Sequence, residues 1–191
     1  PAAAEKILRS DGWQKGSDGI YIKNGKPCEV TFWFNSNNTQ EKAIAEAIQS
    51  DLAKVGIRMN IRGEEKQAYL DRQRTGKFDM QYSLSWGAPY DPQSYFSSWR
   101  IPAHGDFQAQ TGLPDKALID REITSLMTEQ SETKRAAMIR DILTRIHDSA
   151  VYVPISYSRT KAVYRTSLSG VGFRVSQYEI PFEDMFFKNA K

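Results

Sequence analysis

His104 is one of only two histidines in the chain, and it stands between an alanine and a glycine in the run RIPAHGDFQAQTG. Upstream, SWGAPYDPQSYFSSW places Trp86 and Tyr90 among Gly87, Pro89 and Pro92, where the backbone must be irregular. An imidazole on a glycine-flanked loop can reach into a cleft and bind a borderline metal through one nitrogen. Aromatic faces on a loop can stack on a flat or cationic ligand, and a tyrosine adds a hydroxyl. The same residue types also fit a plainer role, in which Trp86 and Tyr90 cover the edge of the core and His104 is an exposed loop residue. On residue types alone both readings stay open.

Other chemistries are poorly provided for. Two histidines and one cysteine, with no Cys-x-x-Cys or His-x-x-x-His spacing, do not make a closed zinc site. There is no glycine-rich phosphate loop, and Gly16-Ser17-Asp18-Gly19 precedes a hairpin rather than a helix. No Gly-x-Ser-x-Gly elbow is present, so neither a nucleophile–base pair nor a metal cage can be assembled from the motifs. His147 ends an amphipathic helix beside Asp148, where the helix dipole favours a partial positive charge, and it reads as structural. Cys28, at a strand start, reads as a small buried residue.

The elements that must hold the first group of residues are legible from periodicity. Residues 2–9 predict a short helix with Ile7 and Leu8 inward. Asn24-Gly25 between two β-rich runs predicts a hairpin. Val30, Phe32 and Phe34 alternate with Thr31 and Trp33, as in a strand. Thr39 is placed to cap the next helix, whose apolar stripe is Ile44, Ile48, Leu52 and Val55. IRMNI alternates again, EKQAYLDRQRTG predicts a helix closed by Gly76, and FDMQYSLSW predicts a third strand with Phe78, Met80, Tyr82 and Leu84 on one face. Residues 28–86 therefore predict β-α-β-α-β with a mostly parallel sheet. Ligands bind beyond the carboxyl ends of such strands, which is where Trp86 falls. Asp91-Pro92 opens one or two helical turns through Trp99. Two further helices follow, one from Pro114-Asp115 with Ile119, Ile123, Leu126 and Met127 inward. The other is capped by Ser131, with Met138, Ile142, Leu143 and Ile146 inward. AVYVPISYS and KAVYR predict strands, and the last segment is extended and apolar.

The totals bound the classes. A chain of 191 residues can form one large domain or one lobe of a larger protein. A net charge of +3 does not argue for nucleic acid, and the mixed-sign stretch 54–77 reads as a solvated face. One cysteine allows no internal disulfide. No apolar run reaches the roughly 18 residues of a membrane span. The chain starts at Pro1, as a mature product or a fragment would.

Together, WGAPYDP, RIPAHGDFQAQTGL, RDILTRIHDSAVYVPISY and EIPF resemble the C-terminal lobe of the periplasmic nickel receptors of ABC importers. These are a branch of the dipeptide/oligopeptide-type solute-binding family. The resemblance implies an α/β fold: one lobe of a two-lobed periplasmic-binding-protein-like architecture, a mixed sheet flanked by helices. It implies that residues 1–191 are a single domain and the N-terminal lobe is absent. It implies a non-catalytic role with no cofactor, in which nickel, already bound to a small organic chelator, is the transported ligand. His104 would be the one direct protein ligand to the metal, Trp86 and Tyr90 would line the pocket, and Tyr178, just before EIPF, falls near the cleft. The implied partners are the metal chelate and an ABC permease, and the implied location is the periplasm. The apolar tail 182–191 would pack on the missing lobe or on a second copy. Two alternatives remain: a peptide or other small-solute receptor of the same family, or a ligand-free fragment that associates through its tail. A single imidazole does not separate nickel from cobalt or copper.

Overall fold

The turn at Asn24-Gly25 is the first place where the sequence fixes a backbone shape. The computed structural model describes residues 1–84, 91–157, 159, 161–176 and 179–188. Helix α1 (Ala2–Ser10) leads into three short antiparallel strands, β1 (Gln14–Lys15), β2 (Tyr21–Lys23) and β3 (Lys26–Pro27). Asn24 and Gly25 join β2 to β3 with φ of 52° and 74°, the positive values that a two-residue hairpin requires. Tyr21 is fully buried, and its N–H donates to the Gly56 carbonyl at 2.8 Å. Ile7, expected inward, is 68% exposed. It is adjacent to Leu8, and consecutive helical positions point in different directions, so one buried stripe cannot take both.

β4 (Glu29–Asn35) alternates as its sequence predicts, with Phe32 and Phe34 buried and Trp33 between them. α2 (Thr39–Lys54) lays Ala45, Ile48 and Leu52 against the phenylalanine face. Its cap is Asn38 rather than Thr39. The Asn38 side chain accepts from the N–H groups of Gln40 and Glu41 at 3.1 and 3.3 Å, while Thr39 is already the first helical residue. β5 (Arg58–Glu64) runs parallel to β4 along its whole length, from Glu29 opposite Arg58 to Asn35 opposite Glu64. α3 (Lys66–Thr75) ends at Gly76 in the left-handed conformation, as expected. It covers the other face of β4, where the Arg72 guanidinium lies 3.4 Å from the centre of the Trp33 ring.

The third strand is shorter than its pattern. β6 (Met80–Gln81) pairs in parallel with Phe32 and Trp33 only, on the side of β4 away from β5. Leu84, expected on the buried face, is 63% exposed, because the chain leaves the ladder after the Tyr82 N–H donates to the Trp33 carbonyl at 3.0 Å. The expected parallel β-α-β-α-β arrangement is thus present, with β4 in the centre.

Contacts divide the chain into two compact units, residues 1–84 with 103–108 and the remaining described residues. In the second unit α4 (Pro92–Ser98) is capped by Asp91, which accepts from the Gln93 N–H at 2.7 Å. His104, expected on a loop, immediately precedes a short helix, α5 (Gly105–Gln110). α6 (Lys116–Thr128) and α7 (Glu132–Asp148) pack as expected through Ile119, Ile123, Leu126, Ile142 and Ile146. Leu143, expected inward, is exposed, since it neighbours Ile142 and falls off the stripe. Tyr95, Phe96 and Trp99 of the Pro-rich stretch enter this core: Trp99 lies 4.8 Å from Phe96 and 5.3 Å from Tyr95, ring centre to ring centre, and stacks on Tyr152 at 5.9 Å.

Neither AVYVPISYS nor KAVYR forms a strand among the described residues. Val153, Ile155 and Tyr157 are exposed there, as are Val163 and Tyr164. Alternation specifies a face, but a strand also needs a partner backbone. Near the C-terminus β7 (Leu168–Ser169) pairs antiparallel with β8 (Phe186–Phe187), and a single 3₁₀ turn covers Phe182–Asp184.

The cap assignment has a direct test. Asn38→Ala should lower the unfolding free energy by about 1 kcal/mol, and Thr39→Ala by clearly less, in paired urea denaturation curves. Equal losses, or a larger loss at Thr39, would move the cap back to the threonine.

Candidate functional site

Three parallel strands end side by side in the first unit, at Asn35, Glu64 and Gln81. This carboxyl edge is where an α/β sheet leaves backbone and side chains free to meet a ligand. It is strongly polar. Glu41, almost fully buried on the first turn of α2, accepts from the Asn35 N–H at 2.9 Å and from the Asn38 side-chain amide at 3.0 Å. Glu64 receives two parallel bonds from Arg72, at 2.8 Å from Nε and 2.5 Å from Nη2. Arg72 also donates to the Lys77 carbonyl at 2.8 Å while its flat face rests on Trp33. Hydrogen bonding from Arg72 holds the Glu64 carboxyl below the usual range.

Tyr69, from the middle of α3, is buried under the same edge. Its hydroxyl donates to the Tyr82 carbonyl and accepts from Gln73 Nε2 at 3.2 Å. Burial pushes the phenol well above its ordinary pKa, and the nearby Glu41 charge adds to the effect. It therefore stays a protonated donor at neutral pH.

His104 belongs to this unit although an excursion separates it from residue 84. It is half-buried, and its carbonyl accepts the Gln108 N–H at 3.1 Å, so it is the residue from which α5 starts. The adjacent Gly105 lies against the end of β6 and the last part of α3. A Cβ built on Gly105 would be 3.2 Å from Gln81 Nε2 and 3.5 Å from Gln73 Cβ. The backbone immediately after His104 thus lies beside the carboxyl end of a parallel strand. Trp86, Tyr90 and Tyr178 lie outside the described residues.

His147 is exposed near the end of α7, with Nδ1 3.2 Å from Asp148 Oδ1. Cys28 is half-buried, and burial pushes its thiol up. Among the described residues no three His, Cys, Asp or Glu side chains converge as a metal cage. The sequence reading missed the Trp33–Arg72–Glu64 stack and Gln81. The stack was hidden in the mixed-charge stretch taken as a solvated face. The signal for Gln81 was present, since it alternates with Met80 and Tyr82 at the end of the third strand.

Residues 1–107 match the family described as bacterial extracellular solute-binding proteins, family 5 Middle. The chain belongs to that family of solute-binding proteins, which are not enzymes. It is 43% identical over 97% of its length to the nickel-binding periplasmic protein of Escherichia coli strain K12, of which it covers 36%. It is 26% identical over 89% of its length to di/tripeptide-binding protein 4 of Pseudomonas aeruginosa, of which it covers 30%. Among solved structures, NikA from Brucella suis in complex with Fe(III)-EDTA superimposes with a TM-score of 0.91 at 43% identity, covering 98% of this chain and 38% of that one. NikZ from Campylobacter jejuni, in complex with Ni(L-His), gives 0.66 at 22% identity over 79% of this chain and 30% of that one, and supports the fold. The chain therefore spans between 30% and 38% of the length of these relatives. Among the described residues no helix is long and apolar enough to cross a membrane.

The Arg72–Glu64 pair should leave a mark on acid stability. The folded Glu64 carboxyl titrates below its unfolded value, so its contribution is present at neutral pH and is lost as pH falls below about 4. Glu64→Gln should cost on the order of 1 kcal/mol at pH ~7, given that the pair is partly solvated. The gap from the parent should close by pH ~3 in urea unfolding. A gap that persists at low pH would assign the loss to packing rather than charge.

Proposed function

We propose that residues 1–191 are the C-terminal lobe of the periplasmic solute-binding component of an ABC importer, and that its cargo is nickel or a similar metal bound to a small organic chelator. The observation that carries this reading is the 43% identity, nearly end to end, with a nickel-binding periplasmic protein; the contact of Gly105, the residue after His104, with the end of β6 supports it. In this reading His104 fills one vacant position on a metal whose other positions the chelator occupies. That suits an edge where the described residues gather no cage of their own. Trp86 and Tyr90 line the pocket beside the chelate, and Tyr178 falls near it. Closure of two lobes on the ligand is the working motion, and the closed form docks on a membrane permease. The exposed Phe182, Phe186 and Phe187 pack on the other lobe or on a second copy of the chain.

A second reading keeps the family and changes the cargo to a peptide, as the similarity to a di/tripeptide-binding protein favours. Calorimetry with nickel and excess free L-histidine separates them. One lobe alone should bind the complex weakly, and His104→Ala should weaken it by a further factor of about ten or more. Binding that His104→Ala leaves unchanged would remove the assigned ligand. A peptide mass retained in native mass spectrometry, in place of a metal, would favour the second reading.

A further inference from the structure

Where His104 presents its ring is set by what residue 105 lacks. The His104 carbonyl accepts the Gln108 N–H, so the imidazole's backbone anchor moves with the start of α5. That start is pressed onto the first unit at two places. At Gly105, a Cβ would meet Gln81 Nε2 at 3.2 Å, Gln73 Cβ at 3.5 Å and Gln73 Cδ at 3.6 Å. Farther along α5, the Gln108 side chain reaches Gly76, where a Cβ would meet its Oε1 at 2.6 Å.

The surfaces that receive α5 are themselves fixed. Gln73 is tied through the Tyr69 hydroxyl to the Tyr82 carbonyl. Gln81 is the last residue of β6, opposite Trp33 in the ladder. Its Oε1 is buried and has no hydrogen-bond partner among the described residues. A methyl at 105 would therefore have to shift the Gln81 carboxamide or the start of α5 by a few tenths of an ångström.

We infer that Gly105 and Gln81 are positioning residues for His104: the bare backbone at 105, seated on the Gln81 carboxamide, fixes how close the imidazole lies to the carboxyl end of β6. This rests on the reading of His104 as the metal ligand. A single metal–imidazole bond is sensitive to displacements of about half an ångström, and residues that orient a ligand from behind cost about 10- to 100-fold in metal affinity when changed. Gly105 is not in the left-handed region, and alanine is the better helix former. Without the contact, Gly105→Ala would be neutral or stabilising.

The test uses the fact that the chain has two histidines. A proton–carbon correlation spectrum of the imidazole Cε1–H groups in the metal-free chain gives two signals, which His104→Ala assigns. Gly105→Ala should shift the His104 signal and leave that of His147 in place, and adding Gln81→Ala should return it. Affinity for the nickel–histidine complex should fall about 10- to 100-fold in Gly105→Ala and recover in the double variant, with the thermal midpoint unchanged. Gln81→Asn, which withdraws the carboxamide without adding bulk at 105, should also move the His104 signal, and it serves if Gly105→Ala does not fold. A His104 signal that stays put in both variants, or that shifts without recovery in the double variant, overturns the inference. A signal that shifts and recovers while nickel affinity is the same in every variant, His104→Ala included, upholds the positioning and removes the metal reading instead.

Discussion

The parallel pairing of β4 with β5 on one side and β6 on the other is the constraint on which the first unit depends. β4 carries Phe32 and Phe34 to one face, where α2 covers them, and Trp33 to the other, where Arg72 of α3 lies on its ring. A sheet covered on both faces is the usual setting for parallel strands. The same pairing sets Glu64 opposite Asn35 and Gln81 opposite Trp33, two residues short of that level, so that all three strands end toward one edge. Each polar feature of the candidate site follows from that alignment: the Glu41 bonds to Asn35 and Asn38, the Arg72 grip on Glu64, and the surface that receives Gly105.

The order of elements was legible wherever the periodicity of one segment decided the matter. Phe32 and Phe34 announced their strand, Ile119, Ile123 and Leu126 their helix, and Asn24-Gly25 its turn. What the sequence could not show were properties of pairs. Val153, Ile155 and Tyr157 alternate as a strand should, yet no strand forms there among the described residues. The cap fell one residue early, at Asn38, because both residues can accept from the helix and only the backbone decides which one stands outside it.

The site was legible in part, and for a related reason. His104 stood out by rarity and by its glycine neighbour, but the surface it leans on comes from Gln73 and Gln81, far earlier in the chain. Glutamines at a helix end and a strand end carry no local signal for such a role. The glycine that marked His104 as a loop residue in the sequence is, in the fold, the first residue of α5 and lies against Gln81 at the end of β6.

The central claim is that one imidazole of this chain, that of His104, completes the coordination of a chelated metal. Nickel K-edge X-ray absorption on the chain loaded with nickel citrate tests it most directly, because that chelator contains no imidazole. The account predicts the outer-shell scattering of one imidazole ring and its disappearance in His104→Ala. An all-oxygen shell identical in the parent and the variant would contradict it.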